Sequence, residues 1–191
     1  MDAAQNPDRR RFLSAALGFI AATAVTVTTT NAIAATPANR LERQRIMRLV
    51  ANEARDLGVP VALALAIAHA ESDFDPFARS HKGARGVMQV MPATARGEYG
   101  IAAHLLWDPR INVRLGLHFM KRLLNRYRGR VDLALSYYNG GSAVGDLPRA
   151  RVIPATRNYV RKVQRLRQNY RRDRGPGDDY RGYRVAGRSG T

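Results

Sequence analysis

The 191-residue sequence contains no cysteine. That excludes disulfides, thiolate metal sites and a lipid-bearing cysteine, and it suits either side of a membrane. Histidine is nearly as scarce: His69, His81, His104 and His118 are scattered, without HxxxH or HExxH spacing. No metal site and no cofactor are therefore expected. Lysine is rare too. Of 32 basic residues only Lys82, Lys121 and Lys162 are lysines, and the rest are arginines. Acids are few, 15 in all, which leaves a formal net charge of +17 and a pI near 11.4. So one-sided a balance predicts an anionic partner: nucleic acid, anionic lipid or an anionic polymer. No alternating strand pattern is present, so a sheet is not expected.

The first residues read as an address. Asp8-Arg9-Arg10-Arg11-Phe12-Leu13 precedes a run without charge from Phe12 to Asn39. Its most apolar part, Phe12 to Val25, is short for a bilayer span and suits a signal-peptide core. Ala32-Ile33-Ala34 is a small-x-small cleavage site, so residues 1–34 are expected to be removed near Ala34/Ala35. The Arg9-Arg10 pair favours a twin-arginine signal over a general secretion signal. Loss of residues 1–34 leaves 29 basic and 13 acidic residues, net +16. The basic character belongs to the mature chain. Export to the periplasm or beyond makes nucleic acid an unexpected partner. No stable membrane span is expected after cleavage.

After a linker over 35–40, the pattern predicts one mostly α-helical domain over 41–170. Met47, Val50, Ala54 and Leu57 recur at helical spacing, and Gly58 is a natural stop. Pro60 then opens a helix, about Val61 to Ser72, that is apolar nearly all round and should be buried. A turn-rich loop follows to Gly86. A short helix is expected from Pro92, stopped at Gly97, then irregular chain to 110. Helices are expected at 111–127 and 131–138, loop at 142–155, and a last helix capped by Thr156. Residues 171–191 hold six Arg and five Gly and are expected to be a disordered basic tail.

The chemistry concentrates in Glu71 to Pro92, ESDFDPFARSHKGARGVMQVMP. Glu71 ends the apolar helix. A carboxyl at such an edge keeps its proton near neutral pH, because desolvation disfavours the charged form. A protonated carboxylic acid facing a cleft can break a glycosidic bond. Asp73 and Asp75 read as turn formers, leaving one candidate acid. Gln89 is an amide among apolar neighbours and needs a backbone or substrate partner. His69 and Ser72 read as structural, and Trp107 as core.

These residues resemble the soluble lytic transglycosylase (SLT) domain, a family related to goose-type lysozyme. The resemblance rests on Glu71-Ser72, Phe74, Pro76, Ala78, Ser80, Gly83-Ala84, Gly86-Val87-Met88-Gln89, Met91-Pro92 and Thr94-Ala95. It continues through Leu106, Asp108-Pro109, Asn112 and Gly116, then Ala134 to Gly141, and closes with Thr156 and Tyr159-Val160. It covers about residues 45–165. Val87 stands where Leu is usual, and Tyr137 and Gly140 stand where Ala is usual. The resemblance implies a lysozyme-like helical fold and a monomer acting on peptidoglycan glycan strands. Glu71 would be the catalytic acid and then base, with the substrate supplying the nucleophile. Ser80, Gln89, Met91, Tyr138 and Asn139 would line the substrate site, with Tyr138 bonded to Glu71 or to the substrate acetamido group. Other outcomes are a water-using muramidase and a non-catalytic glycan-binding or envelope-assembly module. Small size suggests, by analogy, service to a secretion or pilus machine.

Overall fold

The computed structural model describes residues 36–174, with side chains to 172. The expected signal peptide and most of the expected tail lie outside the described residues. Six α-helices follow in order: α1 Pro37–Leu57, α2 Val61–Ser72, α3 Pro92–Tyr99, α4 Pro109–Arg126, α5 Val131–Gly140 and α6 Arg157–Arg174. Short 3-10 turns link them at Ala103–Trp107, Gly141–Val144 and Pro154–Thr156. Among the described residues no strand forms, and only isolated bridges pair Arg85 with Arg79 and with Val90. No described helix is long and apolar enough to cross a membrane.

Helix α2 is the centre. Every residue from Val61 to Ala68 is buried, as an all-apolar helix requires. Helices α1 and α6 pack along it, α4 packs on α1, and α5 packs on both α4 and α6. The buried Glu53 carboxylate joins α1 to α4 by accepting from Arg110 Nε at 3.0 Å and Arg114 Nη1 at 2.8 Å. A carboxylate so enclosed is tolerable because two guanidinium groups meet it.

Several ends differ from the sequence pattern. Helix α1 starts at Pro37, inside the expected linker, because the Thr36 hydroxyl accepts the Asn39 N–H. Helix α3 runs through Gly97 and ends at Gly100, whose φ of 65° makes the left-handed stop. Helix α5 continues to Gly140, where added bulk would strike Thr156 Cγ2 at 2.6 Å and Ile153 Cδ1 at 2.7 Å. That contact accounts for glycine in place of alanine there. Thr156 does not serve as the expected cap. Its hydroxyl donates to the Ile153 carbonyl and meets Ser136 Oγ at 2.7 Å, pinning the last connection to α5. Helix α6 continues to Arg174, four residues into the expected tail. Tyr137 is buried and packs beside Phe119 and Tyr127 under the Arg126 guanidinium.

Candidate active site

Two consecutive left-handed residues end α2, Asp73 at φ 51° and Phe74 at φ 68°. For a bulky residue such as Phe74 that conformation is strained, and packing must hold it. Phe74 is buried against His69 and Tyr170, with the Arg43 guanidinium 4.7 Å from its ring centre. Arg43 also grips Asp73 at 2.7 Å, and His69 Nδ1 meets Tyr170 OH at 2.9 Å. The turn fixes where α2 stops, and so where Glu71 sits. His69 helps to hold that turn through its contacts with Tyr170 and Phe74.

Glu71 is only partly exposed, and burial lifts its carboxyl from the ordinary 4.5 to about 7. The Tyr159 hydroxyl donates to Oε1 at 2.6 Å and pulls that value down, as does the positive charge of Lys162. Lys162 is placed by a 2.9 Å bond to the Ala70 carbonyl. With Oε1 accepting from tyrosine, the carboxylic proton belongs on Oε2. Both nearby aspartates are engaged elsewhere. Asp73 is held by Arg43, and Asp75 Oδ1 accepts the Phe77 N–H at 2.8 Å.

The loop after α2 supplies the facing wall. Ser80 Oγ accepts the Ala84 N–H at 3.0 Å, closing a turn. The Arg85 and Val90 backbones exchange two hydrogen bonds, at 3.1 and 3.0 Å. Buried Asn112 ties the loop to α4: Oδ1 accepts Met88 N–H at 2.8 Å, and Nδ2 donates to the Arg85 and Leu106 carbonyls at 2.8 and 3.0 Å. Gly86, at φ 69°, lies so close that a β-carbon would meet Asn112 Nδ2 at 2.6 Å. Gln89 adopts φ 47°, and its Nε2 donates to Ala78 and Gly86 carbonyls, so the backbone supplies the partners a buried amide needs.

Beside this wall is a cavity of about 350 Å³, its mouth included, among α3, α4 and α5. Gln89, Met91 and Tyr138 line it, together with Thr94 and Tyr99. The Thr94 hydroxyl is buried and meets no hydrogen-bond partner among the described residues. Asn139 is buried at the end of α5, and no side-chain hydrogen bond anchors it within the described residues.

Of the two partners the resemblance offers Tyr138, the structure does not show Glu71. The Tyr138 hydroxyl donates to the Met88 carbonyl at 2.9 Å. Tyr159 takes the carboxyl instead, because α6 lies along α2 whereas α5 faces the Met88 loop. Trp107 is half-buried under the Arg85 guanidinium, not core. Thr94, Tyr99, Tyr159 and Lys162 are among the residues here to which the sequence alone gives no site role. The signal for Tyr159 was its place on the apolar stripe of α6 in the closing motif.

The sequence and the fold have counterparts among known proteins. Residues 48–150 match the family model described as the transglycosylase SLT domain. The chain is 28% identical over 176 residues to the "Membrane-bound lytic murein transglycosylase C" of Sodalis glossinidius (strain morsitans). That match covers 70% of this chain and 49% of the relative, so the chain spans about half of the relative's length. Among solved structures, the 70 kDa soluble lytic transglycosylase of Escherichia coli shares 26% identity, with a TM-score of 0.59. The overlap is 67% of this chain and 24% of that one. An inactive mutant of the lytic transglycosylase Slt of Pseudomonas aeruginosa shares 27% identity, with a TM-score of 0.55, over 73% and 25% of the two chains.

Proposed function

The chain belongs to the transglycosylase SLT family, and on that footing we propose that it is an exported peptidoglycan lytic transglycosylase. It cleaves the bond between N-acetylmuramic acid and N-acetylglucosamine and leaves 1,6-anhydro ends. The observation that carries the reading is a single carboxyl, Glu71, held near pKa 7 and bonded to Tyr159. A group poised near neutral pH can give a proton in one step and take one in the next.

Glu71 Oε2 donates its proton to the glycosidic oxygen as the bond to C1 breaks. The muramoyl acetamido oxygen supports the positive carbon, which substitutes for the second carboxyl of ordinary glycosidases. The Glu71 carboxylate then takes the proton from the 6-hydroxyl of the same sugar, and that oxygen bonds to C1. No water is consumed, and Glu71 ends protonated. Tyr159 is a positioning residue: burial holds its own pKa well above 10, so it keeps its proton throughout.

Ser80, Gln89, Met91, Tyr138 and Asn139 form the substrate wall. Ser80 accepts from Ala84 but retains its own O–H to donate. Gln89 and Tyr138 act through the backbone of the Gly86–Met88 loop that they brace. Met91, half-buried at the cavity, offers an apolar sugar contact. The export signal would place the enzyme in the periplasm or outside the cell, as a monomer working on wall glycan. Service to a secretion or pilus machine is the extension of this reading that its small size suggests.

Two outcomes follow for single residues. Tyr159→Phe removes the bond that lowers the Glu71 pKa, so the alkaline limb of the rate–pH profile should move to higher pH. An unmoved limb would mean that Tyr159 does not act on the working acid. Thr94→Val removes a buried hydroxyl without a protein partner, so urea unfolding should show stability unchanged or higher. If that hydroxyl receives a sugar group, KM should rise by about fivefold, the worth of one neutral hydrogen bond. A muropeptide digest read by mass spectrometry tests the whole reading. Products one water lighter than hydrolytic ones support it, and full-mass reducing ends would make the enzyme a muramidase.

A further inference from the structure

The outer face of α6 is the second unusual surface of the molecule. Its buried stripe is Tyr159, Val163, Leu166 and Tyr170, turned toward α2. Arg157, Arg161 and Arg165 follow at four-residue steps on the opposite side, and all three are exposed. Like charges at that spacing face one another and cost helix stability. Several arginines elsewhere meet a carboxylate: Arg45 with Glu42, Arg43 with Asp73, Arg110 and Arg114 with Glu53, Arg122 with Glu98, and Arg126 with Asp146. On α6 the one acid is Asp173, at the far end. Among the described residues no carboxylate meets Arg157, Arg161 or Arg165, and Arg161 reaches only the neutral Asn158.

We propose that this arginine row is a docking surface for the phosphate headgroups of an anionic lipid bilayer. The row points away from Glu71, because Tyr159 on the opposite stripe faces it, so the strand being cut does not occupy it. Between and beside the arginines lie Gln164, Gln168 and Asn169, with no aromatic or large apolar residue on that face. A glycan-reading surface would carry rings for sugars to stack on, and an inserting helix would carry apolar anchors. What remains is a straight row of planar guanidinium forks, about 6 Å apart. Such forks match phosphate oxygens in pairs, which lysines do not. The helix would lie flat on the headgroups without entering the bilayer, with the cleft turned away from the surface. This inference stands apart from the glycan reading and does not need it.

The test is co-sedimentation of the full chain with phosphatidylglycerol-containing vesicles and with neutral phosphatidylcholine vesicles. The neutral set measures whatever the apolar N-terminal stretch contributes. The partner protein is the triple variant Arg157→Gln, Arg161→Gln, Arg165→Gln. Wild type should bind the anionic vesicles more tightly, with affinity falling as salt rises. The variant should lose about 100-fold of that affinity while keeping its affinity for neutral vesicles. Its melting temperature should not fall, since exposed like charges are relieved. Equal binding by both proteins, or no preference for anionic vesicles, overturns the proposal. A loss confined to duplex DNA, or to purified wall polymer, would do the same and would reassign the row to that polyanion.

Discussion

Glu71→Gln should abolish glycan cleavage, by about a thousandfold or more, the range expected when a general acid is removed. It should also stabilise the protein at alkaline pH. The folded state raises the Glu71 pKa from 4.5 to about 7, so it holds a proton that the unfolded chain releases first. Wild type therefore loses stability as pH rises from about 4.5 to about 7, and above that the loss is complete. Glutamine imitates the protonated acid and has nothing to release. The melting temperature of the variant should exceed that of wild type above pH 7, with the gap nearly closed at pH 4.5. Activity and melting curves on the same two samples make the check. Retained cleavage would remove Glu71 from the chemistry. A gap that does not change with pH would mean that the folded Glu71 carboxyl titrates in the ordinary range.

Asn112→Ala should be the most damaging substitution away from the acid. It removes one acceptor and two donors at once, orphaning the Met88 N–H and the Leu106 carbonyl and leaving the Arg85 carbonyl with only the Val90 N–H. Each unsatisfied buried group costs about 1–3 kcal/mol, so a loss of roughly 3–5 kcal/mol is expected. A domain has only about 5–15 kcal/mol in all, so folding itself is near its limit. Urea unfolding measures the loss. Any folded fraction should also be slow on glycan, because the same loop carries Gln89 and the carbonyl that Tyr138 braces. A midpoint close to that of wild type would show that the loop is held by packing and not by Asn112.

What the sequence made legible follows from the range of the forces involved. The all-apolar α2 declares its burial through its own composition, and Glu71 declares its environment by ending that helix. The turn-rich loop after it and the isolated amide of Gln89 are likewise local signals. Helix ends were read less well. Thr36 caps α1 from within a stretch that looks like linker, and Gly97 stays helical because Gly100 offers the better stop. The partner of Glu71 is not legible in the sequence for a different reason. Tyr138 and Tyr159 both stand at the edge of the core, and only the packing of α6 along α2 decides which hydroxyl arrives. Thr94 stands in the matched motif, but nothing in sequence marks its hydroxyl as unpaired, since an orphaned hydroxyl is defined by what surrounds it.

Tyr159 lies 88 residues beyond Glu71 in the chain. The site is therefore finished only once α6 has been made, and a nascent chain that stops short of Tyr159 cannot carry it. Until α6 seats itself, the end of α2 stands open to water, and a hydrated carboxyl there ionises in the ordinary range. Such a carboxylate has no proton to give at neutral pH. The order of synthesis thus withholds the protonated acid from any chain that lacks α6, and the docking of α6 and the arming of Glu71 are a single event.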